Sequence, residues 1–354
     1  MRIGIITFHR ADNCGAVLQC YALQEYLRRQ GHEAEVIDYR CLPLEAMYVH
    51  VGRPSVKGLL YNTARGRLGT YLETLRKLRV RKEKFDNFRS VFLNTSCSCS
   101  EDTMPQDYDV YIIGSDQMWT VGCVGKKVDN VYMGRFKRPD ASRLCGYAIS
   151  SIGDFTDYLS KDEITAIVQG YDGLSFREKS IADLVESITG RTPSVTLDPT
   201  LLTDSDVYDR VLDDSWKAKG DYIVTYQVHN KGLDAYARHY ADKYGWKVYE
   251  LNGGDYGVED FLSAIRYAKG IITSSFHATV FSLIFCKPFV SYCYNDKYDD
   301  RYKNLLLALG LEEHLRQFGN EVGELPQTDK ATFETRLQKL RQPSVDFLDN
   351  VIKR

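Results

Sequence analysis

One imidazole lies in a turn of small polar residues between two apolar stretches of the chain. The pattern predicts a buried strand over residues 270–273 and an apolar helix over residues 278–286, with Ser274, Ser275 and His277 in the turn between them. Such a turn joins the carboxyl end of a strand to the amino end of a helix, where unpaired N–H groups favour an anion. A phosphate or carboxylate site is therefore predicted here, although the same spacing fits serines that merely cap the helix.

Further polar residues follow other predicted strands. The first strand is followed by a long polar turn that contains His9, Asn13 and Gly15, and a later strand is followed by Asp116. Ligand groups in open α/β sheets come from the carboxyl ends of strands, so these residues are candidates for one side of a cleft, although Asp116 also fits a helix cap. Arg177 opens a predicted helix after another strand. Its guanidinium either reaches the cleft or pairs with a neighbouring acid.

Two alternating series of strands and helices must position these residues. The chain of 354 residues is long for one hydrophobic core, and its pattern breaks between Pro199 and Gly220. We predict two Rossmann-like α/β domains that face a cleft, formed by residues 1–205 and 206–325. Two polar C-terminal helices within residues 326–354 are predicted to pack back on the first domain.

Composition and spacing argue against several classes of protein. The formal net charge of −2 gives no overall attraction to nucleic acid. Nine scattered cysteines, without paired zinc-ligand spacing, predict neither a disulfide framework nor a metal site. The first turn lacks the GxGxxG pattern of a dinucleotide site. The apolar run at the start is too short for a signal peptide, so we expect a cytoplasmic protein.

The segment over residues 57–89 is strongly basic. It carries ten basic and three acidic side chains, with Leu68, Leu72 and Leu75 at helical spacing. A basic amphipathic helix either lies on an anionic membrane surface, meets an acidic glycan or forms a solvated outer face. The solvated face is the commonest of these, and peripheral contact with the inner face of the membrane stays open.

Four short blocks together resemble the polysaccharide pyruvyl transferase family. They follow one another along about nine-tenths of the chain, at residues 8–16 (FHRADNCGA), 114–119 (GSDQMW), 175–180 (SFREKS) and 273–278 (TSSFHA), the last followed by Lys287-Pro288-Phe289. The resemblance implies a glycosyltransferase-B-like (GT-B) fold and a transferase of cell-envelope polysaccharide biosynthesis. It further implies transfer of the enolpyruvyl group of phosphoenolpyruvate, a co-substrate, to two hydroxyls of a sugar or lipid-linked oligosaccharide. The product would be a pyruvate ketal, and no further cofactor is implied.

The resemblance also suggests roles for particular residues. His277 matches the family histidine and is expected to be the catalytic acid–base residue, and Arg177 matches an arginine that holds the donor. Ser274 and Ser275 are expected to bind the donor at the helix end. Family members often carry an arginine where this chain has Ser275, a departure for which Arg301 or Arg177 would compensate. The acceptor side is expected to contain His9, Asn13, Gly15 and Asp116.

Two other functions fit the same sequence. One is a nucleotide-sugar-dependent glycosyltransferase of the B fold, which would need a diphosphate and base pocket in the second domain. The other is a catalytically silent glycan-binding member of the family. Phosphate release from phosphoenolpyruvate separates the pyruvyl transferase from both, whereas binding of uridine or guanosine diphosphates favours the glycosyltransferase.

Overall fold

The first domain is built on a six-stranded parallel sheet. The computed structural model describes residues 1–49, 55–227, 232–295 and 299–353. The strands of the first sheet are β1 (Arg2–Ile6), β2 (Glu33–Val36), β3 (Val110–Ile113), β4 (Arg143–Ile149), β5 (Gly173–Phe176) and β6 (Ser194–Val195). Their order across the sheet is β2-β1-β3-β4-β5-β6. The central strands are buried on both faces, which explains why they read as continuous apolar runs.

The second domain repeats this architecture with five parallel strands. They are β7 (Tyr222–Tyr226), β8 (Lys247–Glu250), β9 (Gly270–Thr273), β10 (Phe289–Cys293) and β11 (Leu315–Gln317). Their order is β11-β10-β9-β7-β8. The predicted boundary near residue 205 lies in the connection between β6 and β7. Two Rossmann-like domains, as in the GT-B fold, are therefore observed.

Each sheet has a point where the strand order reverses. In the first sheet it lies between β1 and β3, and in the second between β7 and β9. At such a switch point the neighbouring connections leave on opposite faces of the sheet and open a crevice at the carboxyl ends of the strands. The turns that follow these four strands are therefore placed to bind a ligand.

Helices cover both sheets and join the two domains. They are α1 (Cys14–Arg29), α2 (Leu42–Val49), α3 (Val56–Ala64), α4 (Leu68–Phe92), α5 (Lys161–Gln169), α6 (Lys179–Thr189), α7 (Asp206–Asp209), α8 (Leu233–Asp242), α9 (Val258–Tyr267), α10 (Phe276–Ile284), α11 (Asp300–Ala308) and α12 (Lys330–Lys353). One apolar cluster contains Val17 and Tyr21 of α1 together with Phe261 of α9 and Phe281 of α10. The two domains therefore share a core.

Helix α4 braces this shared core. The ammonium group of Lys84 lies 2.8 Å from the carboxylate of Asp260 in the second domain, and Arg89 donates to Asp12 at 2.8 Å in the loop after β1. Phe88 is fully buried in the shared cluster. Helix α4 thus fixes the loop after β1 relative to the second domain.

The prediction of two C-terminal helices is wrong, because one helix, α12, runs through Pro343. Proline removes one backbone hydrogen bond and normally ends or kinks a helix. Here both halves of the helix bury apolar side chains: Phe333 and Leu337 join the cluster shared by the domains, and Leu348 and Ile352 pack against the first sheet. These contacts hold the two halves in one helix.

The prediction that Arg177 opens a helix is also wrong. Helix α6 begins at Lys179, and Glu178 occupies the position before it. The backbone N–H of Arg177 donates to the carbonyl of Ile149 at 3.0 Å, which continues the ladder between β4 and β5. Because its backbone is held by the sheet, Arg177 belongs to a strand end.

The shared core predicts a large difference between two substitutions on α4. Phe88→Ala is expected to lower the free energy of unfolding by about 3–5 kcal/mol, because it leaves a cavity between the domains. Val91→Ala on the same helix is the control, since its side chain is 63% exposed, and it should change stability by less than about 0.5 kcal/mol. Urea denaturation followed by tryptophan fluorescence measures both, and similar losses in the two variants would contradict the shared core.

Candidate functional site

A cleft of about 430 Å³ lies where the two switch points face each other. Each of the four turns contributes to it: Asn13 follows β1, Asp116 follows β3, Gln227 follows β7 and His277 follows β9. This is the position at which open α/β sheets bind ligands. Polar side chains from both domains therefore converge on one space.

His277 is fixed where the two domains meet. It lies in the first turn of α10, and its side chain is 12% exposed. Its Nε2 lies 3.6 Å from Oδ2 of Asp198 and has no hydrogen-bond partner among the described residues. Its Nδ1 lies so close to Gly15 that a Cβ atom at position 15 would overlap it. The imidazole therefore depends on both a carboxylate and a glycine of the first domain.

Asp198 is a fully buried carboxylate behind this histidine. It accepts hydrogen bonds from the backbone N–H of Thr200 at 2.9 Å and from the hydroxyl of Ser115 at 3.3 Å, and its Oδ2 lies 2.8 Å from Nη2 of Arg177. Burial alone raises the pKa of Asp198, but Arg177 and His277 outweigh burial and hold this pKa well below its usual range. The group is therefore a carboxylate at neutral pH, and its negative charge faces the imidazole.

Arg177 lies behind the cleft and is not among the residues that line it. Its side chain is 4% exposed, its Nη2 donates to the carbonyl of Ser115 at 2.6 Å, and its guanidinium lies 5.0 Å from the centre of the Phe276 ring. Its Nε and Nη1 have no hydrogen-bond partner among the described residues. Pairing with a neighbouring acid, one of the two outcomes that the sequence left open, is observed. Direct contact with a donor stays a prediction.

The other predicted donor residues are close to His277. Ser275 lines the cleft at the position before α10, and its side chain makes no capping hydrogen bond. Ser274 is buried, and its N–H donates to the carbonyl of Tyr226 at 3.3 Å. Arg301, in the first turn of α11, also lines the cleft. Ser275 and Arg301 therefore face the same space as His277, whereas Ser274 lies outside the lining.

The predicted acceptor residues divide into two groups. Asn13, Gly15 and Asp116 line the cleft, and the side-chain oxygen of Asn13 caps α1 by accepting from Gly15 at 2.9 Å. His9 lies elsewhere. It is buried, and its Nε2 is 2.9 Å from a carboxylate oxygen of Asp38. The structure therefore brings three of these four residues together.

A second chamber of about 360 Å³ adjoins the cleft and shares Gln117 and Arg301 with it. Glu178 lines this chamber and is 6% exposed. Its Oε1 accepts from the hydroxyl of Ser150 at 2.7 Å, whereas its Oε2 has no hydrogen-bond partner among the described residues. Burial raises the pKa of Glu178. The chamber thus offers an unused carboxyl oxygen to a hydroxyl group.

Several residues of the site escaped the sequence analysis. Asp198 follows the last strand of the first sheet, so its sequence signal was the same strand-end position as that of Asp116. Gln227 and Asn252 follow β7 and β8, and the Asn252 side chain accepts from the Gln227 N–H at 2.6 Å. Among the described residues, no group of three or more His, Cys, Asp or Glu is arranged to hold a metal ion.

Several solved structures are similar to this chain. They include a putative UDP-N-acetylglucosamine 2-epimerase from Listeria monocytogenes, with 10% identity and a TM-score of 0.47, covering 98% of this chain and 88% of that one. A UDP-GlcNAc 2-epimerase from Methanocaldococcus jannaschii has 10% identity and a TM-score of 0.43, with coverage of 96% and 93%. The glycosyltransferase SsfS6 from Streptomyces sp. SF2575 has 12% identity and a TM-score of 0.39, with 100% of both chains covered. No curated protein sequence matches the chain.

A family model built from sequences gives a more specific result. The model of the polysaccharide pyruvyl transferase family matches residues 13–297. The matched span includes strands of both sheets and the residues Asn13, Asp116, Arg177, Asp198 and His277. Since this span is most of the chain, the protein belongs to the polysaccharide pyruvyl transferase family.

Proposed function

We propose that the protein transfers the enolpyruvyl group of phosphoenolpyruvate to two hydroxyls of a sugar in a polysaccharide precursor. The products are a pyruvate ketal and inorganic phosphate. One observation carries the proposal beyond family membership: the imidazole of His277 lines the cleft at the amino end of α10, with the buried carboxylate of Asp198 3.6 Å behind it. This arrangement joins a site for an anion to a group that can give and take a proton.

Donor binding requires positive charge and N–H donors, because phosphoenolpyruvate carries a phosphate and a carboxylate. The first N–H groups of α10 have no partners within the helix and favour an anion. The Ser275 hydroxyl lies at the same helix end, and Arg301 adds a guanidinium to the cleft. An imidazolium at His277 supplies a further positive charge. These groups support placing the donor on the second-domain side of the cleft.

The chemistry needs a proton on carbon before the ketal carbon forms. In the proposed reaction the His277 imidazolium protonates the methylene carbon of the donor, which leaves positive charge on the neighbouring carbon. One sugar hydroxyl adds to that carbon and returns its proton to His277. The bond to phosphate then breaks, the second hydroxyl adds, and its proton leaves with the phosphate. The Asp198 carboxylate favours the charged imidazole at the start of this sequence.

We assign Arg177 to positioning His277 through Asp198. Its Nη2 holds Oδ2 of Asp198, the oxygen that faces the imidazole, and its side chain is 4% exposed. A buried carboxylate without this partner would gain a proton or move towards water. Arg177 therefore keeps the carboxylate charged and in place. Its Nε and Nη1, which have no hydrogen-bond partner in the described part of the chain, are spare donors for an anion.

The acceptor is proposed to lie on the first-domain side. Asn13 and Asp116 line that wall of the cleft, and the chamber with Glu178 continues it. Amide, carboxylate and carboxyl groups are suitable partners for sugar hydroxyls. The Oε2 of Glu178, which no described residue hydrogen-bonds, would accept a hydrogen bond from a hydroxyl of the acceptor or of the sugar attached to it.

Replacing the proposed acid–base residue tests the function. His277→Gln keeps a hydrogen bond to an anion but cannot transfer a proton, so turnover should fall by about 10²–10⁴-fold while the dissociation constant for phosphoenolpyruvate changes little. Phosphate release with a panel of sugars measures turnover, and isothermal titration measures donor binding. The control is His239→Gln, an exposed histidine of α8. A raised Michaelis constant with unchanged turnover would limit His277 to binding, and binding of uridine diphosphate in place of phosphoenolpyruvate would reject the donor.

Removing the charge of Asp198 should change the pH dependence of turnover. In Asp198→Asn the imidazolium loses its counter-charge, so the limb on which activity falls with rising pH should move to lower pH, and turnover at neutral pH should fall at least about tenfold. Arg177→Lys is the second variant, because a lysine cannot reproduce the contacts of the guanidinium. A positioning role predicts lower turnover with donor affinity kept, whereas direct donor contact predicts weaker donor binding.

Stability measurements distinguish the predicted loss of turnover in Asp198→Asn from misfolding of the variant. Breaking a buried ion pair costs about 3–5 kcal/mol, so Asp198→Asn should be less stable at neutral pH. The folded pKa of Asp198 is depressed, so its contribution to stability is present above its ordinary pKa of about 4 and is lost as the pH falls below it. The gap between wild type and variant should therefore narrow in acid. A constant gap would show that the charge of Asp198 is not what stabilises the fold.

Gly15 gives an independent test of how His277 is positioned. A methyl group at position 15 would overlap the imidazole, so Gly15→Ala should displace the ring and lower turnover by about 10²-fold. Gly69→Ala is the control, because a Cβ atom there would meet no other atom within 4 Å. Both variants should fold, as judged by circular dichroism and thermal unfolding. Full activity in Gly15→Ala would contradict the observed position of His277.

A further inference from the structure

Helices α3 and α4 form a hairpin that projects from the first domain. None of residues 57–84 is buried, and the first buried residue of α4 is Phe85. The two helices pack on each other instead, with Gly58 of α3 so close to the Tyr71 hydroxyl of α4 that a Cβ atom at position 58 would overlap it. The hairpin therefore has an inner seam, but its outer face contacts no other part of the described chain closely enough to be buried.

The outer face of the hairpin is apolar where a solvated helix would be polar. Lys57, Leu60, Tyr61 and Ala64 share one face of α3 by their spacing, and all four are exposed. Leu60 is 67% and Tyr61 56% exposed, and Leu72 on α4 is 46% exposed. Large apolar side chains grouped in this way on one projection mark an interaction surface.

Basic side chains surround these apolar residues. Residues 57–79 carry six basic side chains and one acidic one, in a chain whose formal net charge is −2. Lys57, Arg65 and Arg67 form no ion pair with any described residue, and the guanidinium of Arg65 lies 4.4 Å from the centre of the Tyr61 ring. Positive charge is therefore concentrated on the hairpin. Basic side chains that form no ion pair with the described residues are available to an anionic partner.

We propose that this hairpin docks the protein on an anionic lipid bilayer. Leu60, Tyr61 and Leu72 enter the interface between headgroups and acyl chains, and the basic residues contact lipid phosphates. An acidic glycan would match the charges but would leave the exposed apolar side chains unexplained. The proposed contact is peripheral, with the hairpin lying in the interface. No helix in the described ranges has the length and apolar character needed to cross a membrane.

Docking would also place the cleft near the membrane. Helix α2 precedes the hairpin along the chain, and its residues Leu44, Met47 and Tyr48 line the cleft. Met47 is itself 55% exposed. A hairpin bound to a bilayer therefore holds a wall of the cleft close to the surface on which a lipid-linked sugar is presented.

Flotation of the full chain with lipid vesicles tests the charge requirement. Binding is expected with vesicles of equal parts phosphatidylglycerol and phosphatidylcholine, and not with phosphatidylcholine alone. The triple variant Lys57→Glu, Arg65→Glu and Arg67→Glu should lower the partition coefficient at least about a hundredfold, at roughly fivefold for each basic charge removed. The control variant reverses the charge of three exposed lysines outside the hairpin, with Lys161→Glu, Lys243→Glu and Lys339→Glu. It should bind the vesicles as the wild type does.

A second set of variants tests insertion of the apolar side chains. Leu60→Ser combined with Leu72→Ser should weaken binding at least about tenfold, whereas Leu307→Ser, whose leucine is 44% exposed on α11, should not. In Leu60→Trp, tryptophan emission should shift to shorter wavelength when anionic vesicles are added. The proposal is overturned if the wild type does not bind anionic vesicles, or if the lysine control loses as much binding as the triple hairpin variant. It is also overturned if the Leu60→Ser, Leu72→Ser variant binds as tightly as the wild type. Binding to soluble polygalacturonate but not to vesicles would identify an acidic glycan as the partner instead.

Discussion

The buried carboxylate of Asp198 is the constraint on which the rest of the site depends. A charge removed from water is tolerated only when partners surround it, and here they come from separate parts of the chain. Arg177 follows β5, Ser115 follows β3, and His277 belongs to the second domain. Satisfying one carboxylate therefore fixes three turns with respect to one another. The cost of burying Asp198 is offset by contacts that also assemble the cleft.

This constraint makes the site a property of both domains. His277 is carried by α10 of the second domain, but its carboxylate partner and the glycine that makes room for its ring belong to the first. Opening the cleft would move the imidazole away from Asp198 and leave its charge exposed to water. The shared apolar cluster and the α4 contacts to Asp260 and Asp12 oppose such opening. The proton transfer that we propose at His277 would thereby depend on the observed arrangement of the two domains.

The sequence predicted those parts of this arrangement that follow from the local pattern of strands and turns. Parallel strands end at one edge of a sheet, so Asn13, Asp116 and His277 could be placed in one cleft from strand ends alone. Asp198 was missed because its role depends on Arg177 and His277, which no local pattern joins to it. The single helix α12 was missed because Pro343 predicts a break, and only the packing of both halves on different parts of the fold overrides it. Both the role of Asp198 and the continuity of α12 depend on long-range contacts, which the local conformational propensities of the residues do not encode.

In the proposed reaction, the charge of the cleft would connect donor binding to catalysis. Among the described residues that line it, Arg301 is the permanent cation and Asp116 an opposing acid, while Ser275 adds a hydroxyl without charge. A donor that carries a phosphate and a carboxylate would therefore place negative charge in front of the His277 ring, and the carboxylate of Asp198 lies behind the ring. In the proposed reaction, the methylene carbon of the donor receives its proton from this imidazole. The imidazole would become neutral at the moment when the reacting carbon becomes positive, so the net charge of the site would not change. With an uncharged serine at position 275 instead of an arginine, more of the donor's negative charge would thus be balanced by the proton on His277.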